Sequence, residues 1–162
     1  MASTNINMLG KTGNNKNSDE CYTPESAILP LLEFLDKNRT YYEATSIASS
    51  SIVDCLIANG FKCKKAKGDF FEQDEVYDGV ITNPPYSIKD KFIEACYETE
   101  KPFALLLPVS AIQGIKRGKM FEDKGIELLV LNKRVDFTGK GSPHFGVAWF
   151  CYKLLPSPLI FK

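Results

Sequence analysis

Pro84 and Pro85 stand side by side where the apolar run Tyr77–Thr82 ends. Proline lacks a backbone N–H and has a fixed φ, so two in a row cannot sit inside a sheet or a helix interior. Asn83-Pro84-Pro85-Tyr86 is therefore expected to form a rigid loop at the carboxyl end of a strand. Open α/β sheets place their ligands at that edge. The bland alternative is a plain strand-ending turn. At ordinary proline usage, a polar-Pro-Pro-aromatic tetrad arises by chance in roughly one chain of this size in a few hundred.

The rest of the chain supplies alternating elements. Thr23-Pro24-Glu25 reads as a helix start, with Thr23 as cap and Pro24 in the first turn. Ile28, Leu31, Leu32 and Leu35 follow at helical spacing, Pro30 interrupts them, and Lys37-Asn38-Arg39 ends the helix. Tyr41–Ala44 reads as a strand, 50–58 as a helix stopped by Asn59-Gly60, and Phe61–Lys65 as a second strand. Gly68-Asp69-Phe70-Phe71 reads as a turn. After the proline loop come a helix over 88–99 and the fully apolar strand Phe103–Leu107, a pattern typical of a parallel sheet buried on both faces. A short helix over 117–123, a strand Glu127–Leu131 and a long last strand Phe145–Leu155 complete the order, with Pro156-Ser157-Pro158 as a tail. This alternation predicts an α/β fold, a mostly parallel sheet with helices on both faces.

With 162 residues, one domain is expected, 19–162, behind a flexible polar arm at 1–18. Apolar residues are 44% and charged residues 25%, which excludes a disordered or fibrous chain. No apolar run is long enough to span a membrane, and no secretory leader is visible. Twenty basic and 20 acidic residues balance to zero net charge, so any nucleic-acid contact must be local or weak. Cys21, Cys55, Cys63, Cys96 and Cys151 are widely spaced, without a C-x-x-C pair, and His144 is the only histidine. No metal site is expected from that set; unpaired thiols in a reducing cytoplasm are the simpler reading.

The tetrad suits methyl transfer to an exocyclic amino nitrogen. That nitrogen is a poor nucleophile because its lone pair is delocalised into the ring. The Asn83 side-chain oxygen and the Pro84 carbonyl could accept its two hydrogens and restore lone-pair character. Pro84 and Pro85 hold that carbonyl in place. Tyr86 offers a face on which an extruded base can stack.

Asn83-Pro84-Pro85-Tyr86 resembles the catalytic signature of S-adenosylmethionine-dependent amino-methyltransferases, especially adenine-specific DNA methyltransferases. Asp19-Glu20-Cys21-Tyr22-Thr23-Pro24 is similar to an N-terminal motif of small phage-type members, whose Tyr-Thr-Pro segment lies beside the cofactor. Gly68-Asp69-Phe70-Phe71 resembles the segment whose acidic residue faces the cofactor's adenine. Lys101–Pro108 resembles the strand after the catalytic helix, and Phe145–Leu155 the closing strand. The resemblance covers about residues 19–155. It implies a reduced, Rossmann-like class I methyltransferase sheet and S-adenosylmethionine as cofactor. It assigns Tyr22, Thr23, Pro24, Glu43, Thr45, Asp69 and Phe70 to the cofactor, and Asn83 to Tyr86 to catalysis.

The sequence departs from that family at three points. The loop after the first strand, Glu43-Ala44-Thr45-Ser46-Ile47-Ala48-Ser49-Ser50-Ser51, has no glycine, and Ile47 stands where the first glycine is expected. About 40 residues separate Glu43 from Asn83, room for one strand where two are expected, and that strand carries Lys62, Lys64 and Lys65, with Lys67 just after. These lysines form either a solvated edge or a phosphate patch. Length for a separate target-recognition domain is also lacking, so base discrimination would be weak or depend on a partner, a second copy included. The departures define the alternative function: a degenerate methyltransferase-like protein that binds a nucleotide, nucleic acid or protein as an interference module.

Several residues keep two readings. Tyr22 either stacks on the cofactor or anchors the arm as a partly buried aromatic. Asp69 is either the adenine-facing acid or a turn residue, and Asp78 reads as a surface carboxylate. Ser87 reads as the cap of the next helix, and Lys89 as solvent-facing or phosphate-binding. Lys133, Arg134, Lys140 and His144 surround a glycine-, serine- and proline-containing loop. The resemblance puts that loop near the target base, where it could steer a phosphate backbone; otherwise it is an ordinary polar hairpin. Trp149 reads as core.

Overall fold

Strands and helices alternate into one mixed sheet covered on both faces. The structure, a computed structural model, describes residues 22–45, 50–141, 143 and 145–162. The polar arm at 1–18, the Asp19-Glu20-Cys21 part of the N-terminal motif, Ile47 with its neighbours and His144 lie outside the described residues. In chain order the elements are α1 (Glu25–Leu32), β1 (Thr40–Glu43), α2 (Ser51–Ala58), β2 (Lys62–Lys65), β3 (Gly79–Thr82), α3 (Lys89–Glu98), β4 (Phe103–Pro108), α4 (Ile115–Lys124), β5 (Glu127–Val130), β6 (Val147–Tyr152) and β7 (Leu159–Phe161). Single 3-10 turns, Tyr86–Ile88 and Val109–Ile112, follow the proline loop and β4.

Among the described residues the sheet has seven strands in the order β2-β1-β3-β4-β6-β5-β7. β2, β1, β3 and β4 are mutually parallel. β6 runs antiparallel between β4 and β5, and β7 is parallel to β5. The chain leaves β1 toward β2 and returns on the other side of β1 as β3. The strand order thus reverses between β1 and β3, and the carboxyl ends of strands at such a reversal are where open α/β sheets place their ligands.

Two cores flank the sheet. Ala27, Ile28 and Leu31 of α1 and Ile52, Cys55 and Leu56 of α2 pack with Ala104, Leu106 and Trp149 on one face. Phe92, Ile93, Cys96 and Tyr97 of α3 pack with Phe103, Leu105 and Leu107 on the other, where Met120 and Phe121 of α4 join them. β4 is therefore buried on both faces, as its unbroken apolar run predicts. No helix among the described residues is long and apolar enough to cross a membrane.

Local chemistry explains the element ends. Ser50 caps α2 by accepting the Val53 N–H at 3.2 Å, and Gly60 stops the chain at φ +83°. Thr23 is not a helix cap: Pro24 occupies that position with no side-chain cap bond. Ser87 is no cap either, because it lies inside the 3-10 turn and Ile88 precedes α3. β3 begins only at Gly79. Asp78 stays exposed, yet its Oδ2 accepts the Thr40 N–H at 2.7 Å and its own N–H donates to Thr40 O at 2.7 Å, clamping β1 to the start of β3.

The last third of the chain differs most from expectation. The closing strand is six residues, Val147–Tyr152, rather than Phe145–Leu155. Lys153 turns at φ 51° and ends it. Pro156-Ser157-Pro158 is not a tail but a turn into β7. Leu128 N donates to Pro158 O at 2.9 Å, and Lys162 N donates to Val130 O at 2.9 Å.

Candidate functional site

The carboxyl edge at this reversal is built from the ends of β1 and β3 and the residues just after them. Glu43 ends β1 and is 1% exposed; Thr82 ends β3 and is 0% exposed. Glu43 Oε1 accepts from the Thr82 hydroxyl at 2.5 Å, the Thr45 hydroxyl at 2.9 Å and the Thr45 backbone N–H at 3.1 Å. The two threonine hydroxyls are also 2.9 Å apart. A carboxyl group taken out of water needs such donors. This one finds them in the residues that tie the two strand ends together.

Asn83 is held from two sides. Its side-chain Nδ2 donates to Thr23 Oγ1 at 3.2 Å, across 60 residues of chain. Its backbone carbonyl faces the Thr45 hydroxyl at 3.4 Å. Pro84 is buried and Pro85 exposed. Tyr86, half-buried, meets the ring of Phe145 edge-on with centroids 6.1 Å apart. Lys89 is half-buried and donates from Nζ to Tyr86 O at 3.2 Å, bracing the loop from the first turn of α3. Ser87 is exposed.

Thr23, Glu43, Thr45 and Asn83, expected to serve one site, are thus joined in one network, with Pro84 and Tyr86 in the adjoining loop. Thr82 and Phe145 belong with them, although the sequence does not single them out. A threonine closing an apolar strand carries no sequence signal of its own, and Phe145 lies just before the strand that its apolar run suggests it joins.

Other expected residues sit apart from that network. Tyr22 is 61% exposed, so it is not a partly buried anchor. Pro24 is half-buried and its carbonyl accepts the Ala27 N–H at 2.9 Å. Asp69 is exposed and shapes its own turn, Oδ1 accepting the Phe71 N–H at 3.0 Å. Phe70 is buried, its ring stacked on Phe92 at 5.3 Å and on Tyr42 at 6.3 Å, so it supports α3 and takes no part in that network.

The lysines of β2 form an edge strand, with Lys62, Lys64 and Lys65 exposed. Lys64 and Lys67 both pair with Glu75, at 3.4 and 2.7 Å. Hydrogen bonding to Lys67 holds the Glu75 carboxyl below its ordinary range.

Lys133, Arg134 and Lys140 are exposed on the loop between β5 and β6. Asp136 organises that loop. Its Oδ1 accepts from Thr138 N at 2.9 Å, Thr138 Oγ1 at 2.8 Å and Gly139 N at 3.1 Å, and its Oδ2 from Gly141 N at 2.5 Å. The Thr138 hydroxyl, then the Gly141 N–H, pull the Asp136 carboxyl below its ordinary value.

No cluster of histidine, cysteine or acidic side chains among the described residues could hold a metal ion. The described cysteines Cys55, Cys63, Cys96 and Cys151 are free thiols. Compared with known proteins, the chain matches no family model and no curated protein.

Proposed function

We propose that the protein transfers a methyl group from S-adenosylmethionine to the exocyclic amino group of a nucleobase, with adenine in DNA as the preferred target. One observation carries this reading: the Asn83-Pro84-Pro85-Tyr86 loop projects from the carboxyl edge of the sheet where the strand order reverses, and the Asn83 amide is anchored there. The sheet order, with β6 antiparallel inside an otherwise parallel row, is compatible with a reduced methyltransferase fold.

S-adenosylmethionine supplies an electrophilic methyl group on sulfonium. The chain's part is to hold the acceptor. Asn83 Oδ1 and Pro84 O accept the two amino hydrogens, Tyr86 and Phe145 flank the base, and the proton released from nitrogen leaves to water. Thr45 stands on the cofactor side, at the end of β1, Tyr22 offers an exposed ring before α1, and Lys133, Arg134 and Lys140 offer positive charge to a phosphate backbone.

A second reading, binding without transfer, is favoured by Glu43. In the family resemblance this residue faces the cofactor, yet here its carboxyl is buried and Oε1 is engaged by Thr45 and Thr82. Calorimetric titration with S-adenosylmethionine and S-adenosylhomocysteine, followed by labelled-methyl transfer onto DNA and RNA, separates the two readings. Micromolar binding with transfer that Asn83→Ala abolishes is the expected result. A folded protein that binds neither ligand at millimolar concentration overturns the enzymatic reading.

A further inference from the structure

Thr23 is 2% exposed, and its hydroxyl oxygen lies 3.2 Å from Asn83 Nδ2. An asparagine amide has an acceptor end and a donor end. With the nitrogen turned to Thr23, the oxygen is the end left for a substrate amino group. A threonine hydroxyl both donates and accepts, so what it fixes is the place of the Asn83 side chain. We infer that Thr23 is a positioning residue, holding the Asn83 side chain in place at the end of β3, where its amide meets the target nitrogen. This inference rests on the methyl-transfer reading of the same loop.

The support behind Thr23 is rigid. Pro24 fixes the backbone directly after it, at φ −65° and ψ 145°. The Pro24 carbonyl accepts Ala27 N–H at 2.9 Å, and Ala27 O accepts the indole N–H of Trp149 at 2.8 Å. Trp149 is fully buried in β6, next to β4 in the sheet. The first turn of α1 is thereby fastened to the sheet that also carries β3 and Asn83. A group held by packed elements keeps its direction better than one held by a loop, and preorganisation of this kind acts on the chemical step.

The test uses the full chain labelled with 15N. The Asn83 side-chain amide is assigned by its loss in Asn83→Asp, and its exchange with water is followed. In wild type one amide proton is expected to exchange slowly, and Thr23→Ser should preserve that protection. Thr23→Val should raise its exchange roughly tenfold. Should Thr23→Val fail to fold, Thr23→Ala is read in the same way. Amide exchange unchanged in the folded Val or Ala variant overturns the inference.

Where wild type transfers methyl, Thr23→Val should lower kcat roughly tenfold at unchanged KM for the cofactor, with recovery in Thr23→Ser. An unchanged kcat, or a change confined to KM, overturns the positioning role. A wild type that transfers nothing overturns the enzymatic reading instead, and the amide exchange then decides the Thr23–Asn83 contact alone.

Discussion

The Thr82 hydroxyl donates to Glu43 Oε1 at 2.5 Å, joining the carboxyl end of β3 to that of β1 inside the protein. Thr82→Val keeps the shape and removes the donor. It should destabilise the fold by about 1–3 kcal/mol, the range for withdrawing a partner from a buried polar group. Chemical denaturation reads this directly, and a midpoint equal to wild type would show that the hydroxyl is dispensable to Glu43.

Gly79 begins β3 because nothing larger fits. A Cβ there would lie 2.9 Å from Pro102 O and 3.2 Å from the Tyr41 ring. Gly79→Ala should therefore cost about 1–3 kcal/mol through overpacking between β1 and β4. Thermal melting monitored by circular dichroism checks this, whereas an unchanged melting temperature would mean that β3 shifts freely.

Trp149→Phe removes the donor that Ala27 O accepts, and leaves a gap between α1 and the sheet. A loss of about 1 kcal/mol is expected from the lost hydrogen bond, and the gap adds to it. The chain has one tryptophan, so wild-type emission reports this contact, and the variant must be followed by circular dichroism. Blue-shifted emission should turn red as α1 releases; red emission from the native protein would contradict the burial.

The loop around Asp136 should respond to acid. Its carboxyl titrates below the ordinary aspartate value of 3.8, chiefly through the Thr138 hydroxyl and then the Gly141 N–H. A group depressed in the folded state contributes stability above its unfolded value and loses it as pH falls through the folded one. The amide resonances of Thr138, Gly139 and Gly141 should hold steady down to the ordinary value and move together below it. Movement centred above 3.8 would contradict the arrangement.

Cys63 should be slow to alkylate. Burial and the neighbouring Glu43 push its thiol up to about 12, from an ordinary 9.0. The thiolate is the reactive form, so little of it exists at neutral pH. Peptide mass spectrometry after brief iodoacetamide treatment should find Cys63 labelled only in denaturant. Rapid labelling in the native state would show that the site opens.

Elements with a local cause were legible in the sequence. The proline pair announced the loop after β3, the run Phe103–Leu107 announced a strand buried on both faces, and Ser50 and Asn59-Gly60 bounded α2. β7 was not legible, because three residues behind two prolines carry no periodicity; they form a strand only because β5 offers an open edge. Thr23 misleads for a similar reason. Beside Pro24 it looks like a cap, but its hydroxyl is directed 60 positions along the chain to Asn83.

The sequence by itself determined the α/β alternation, the rigid loop at Asn83–Tyr86 and the residue types available there, because proline, apolar runs and helical spacing act over a few neighbouring residues. Only the tertiary structure decided that β1 and β3 become neighbours, that Glu43, Thr45, Thr82 and Asn83 share one hydrogen-bonded network, and that Phe70 serves the core. Those relationships arise from burial: polar groups carried inside by strand packing must find partners, and the partners are whatever the sheet order brings alongside.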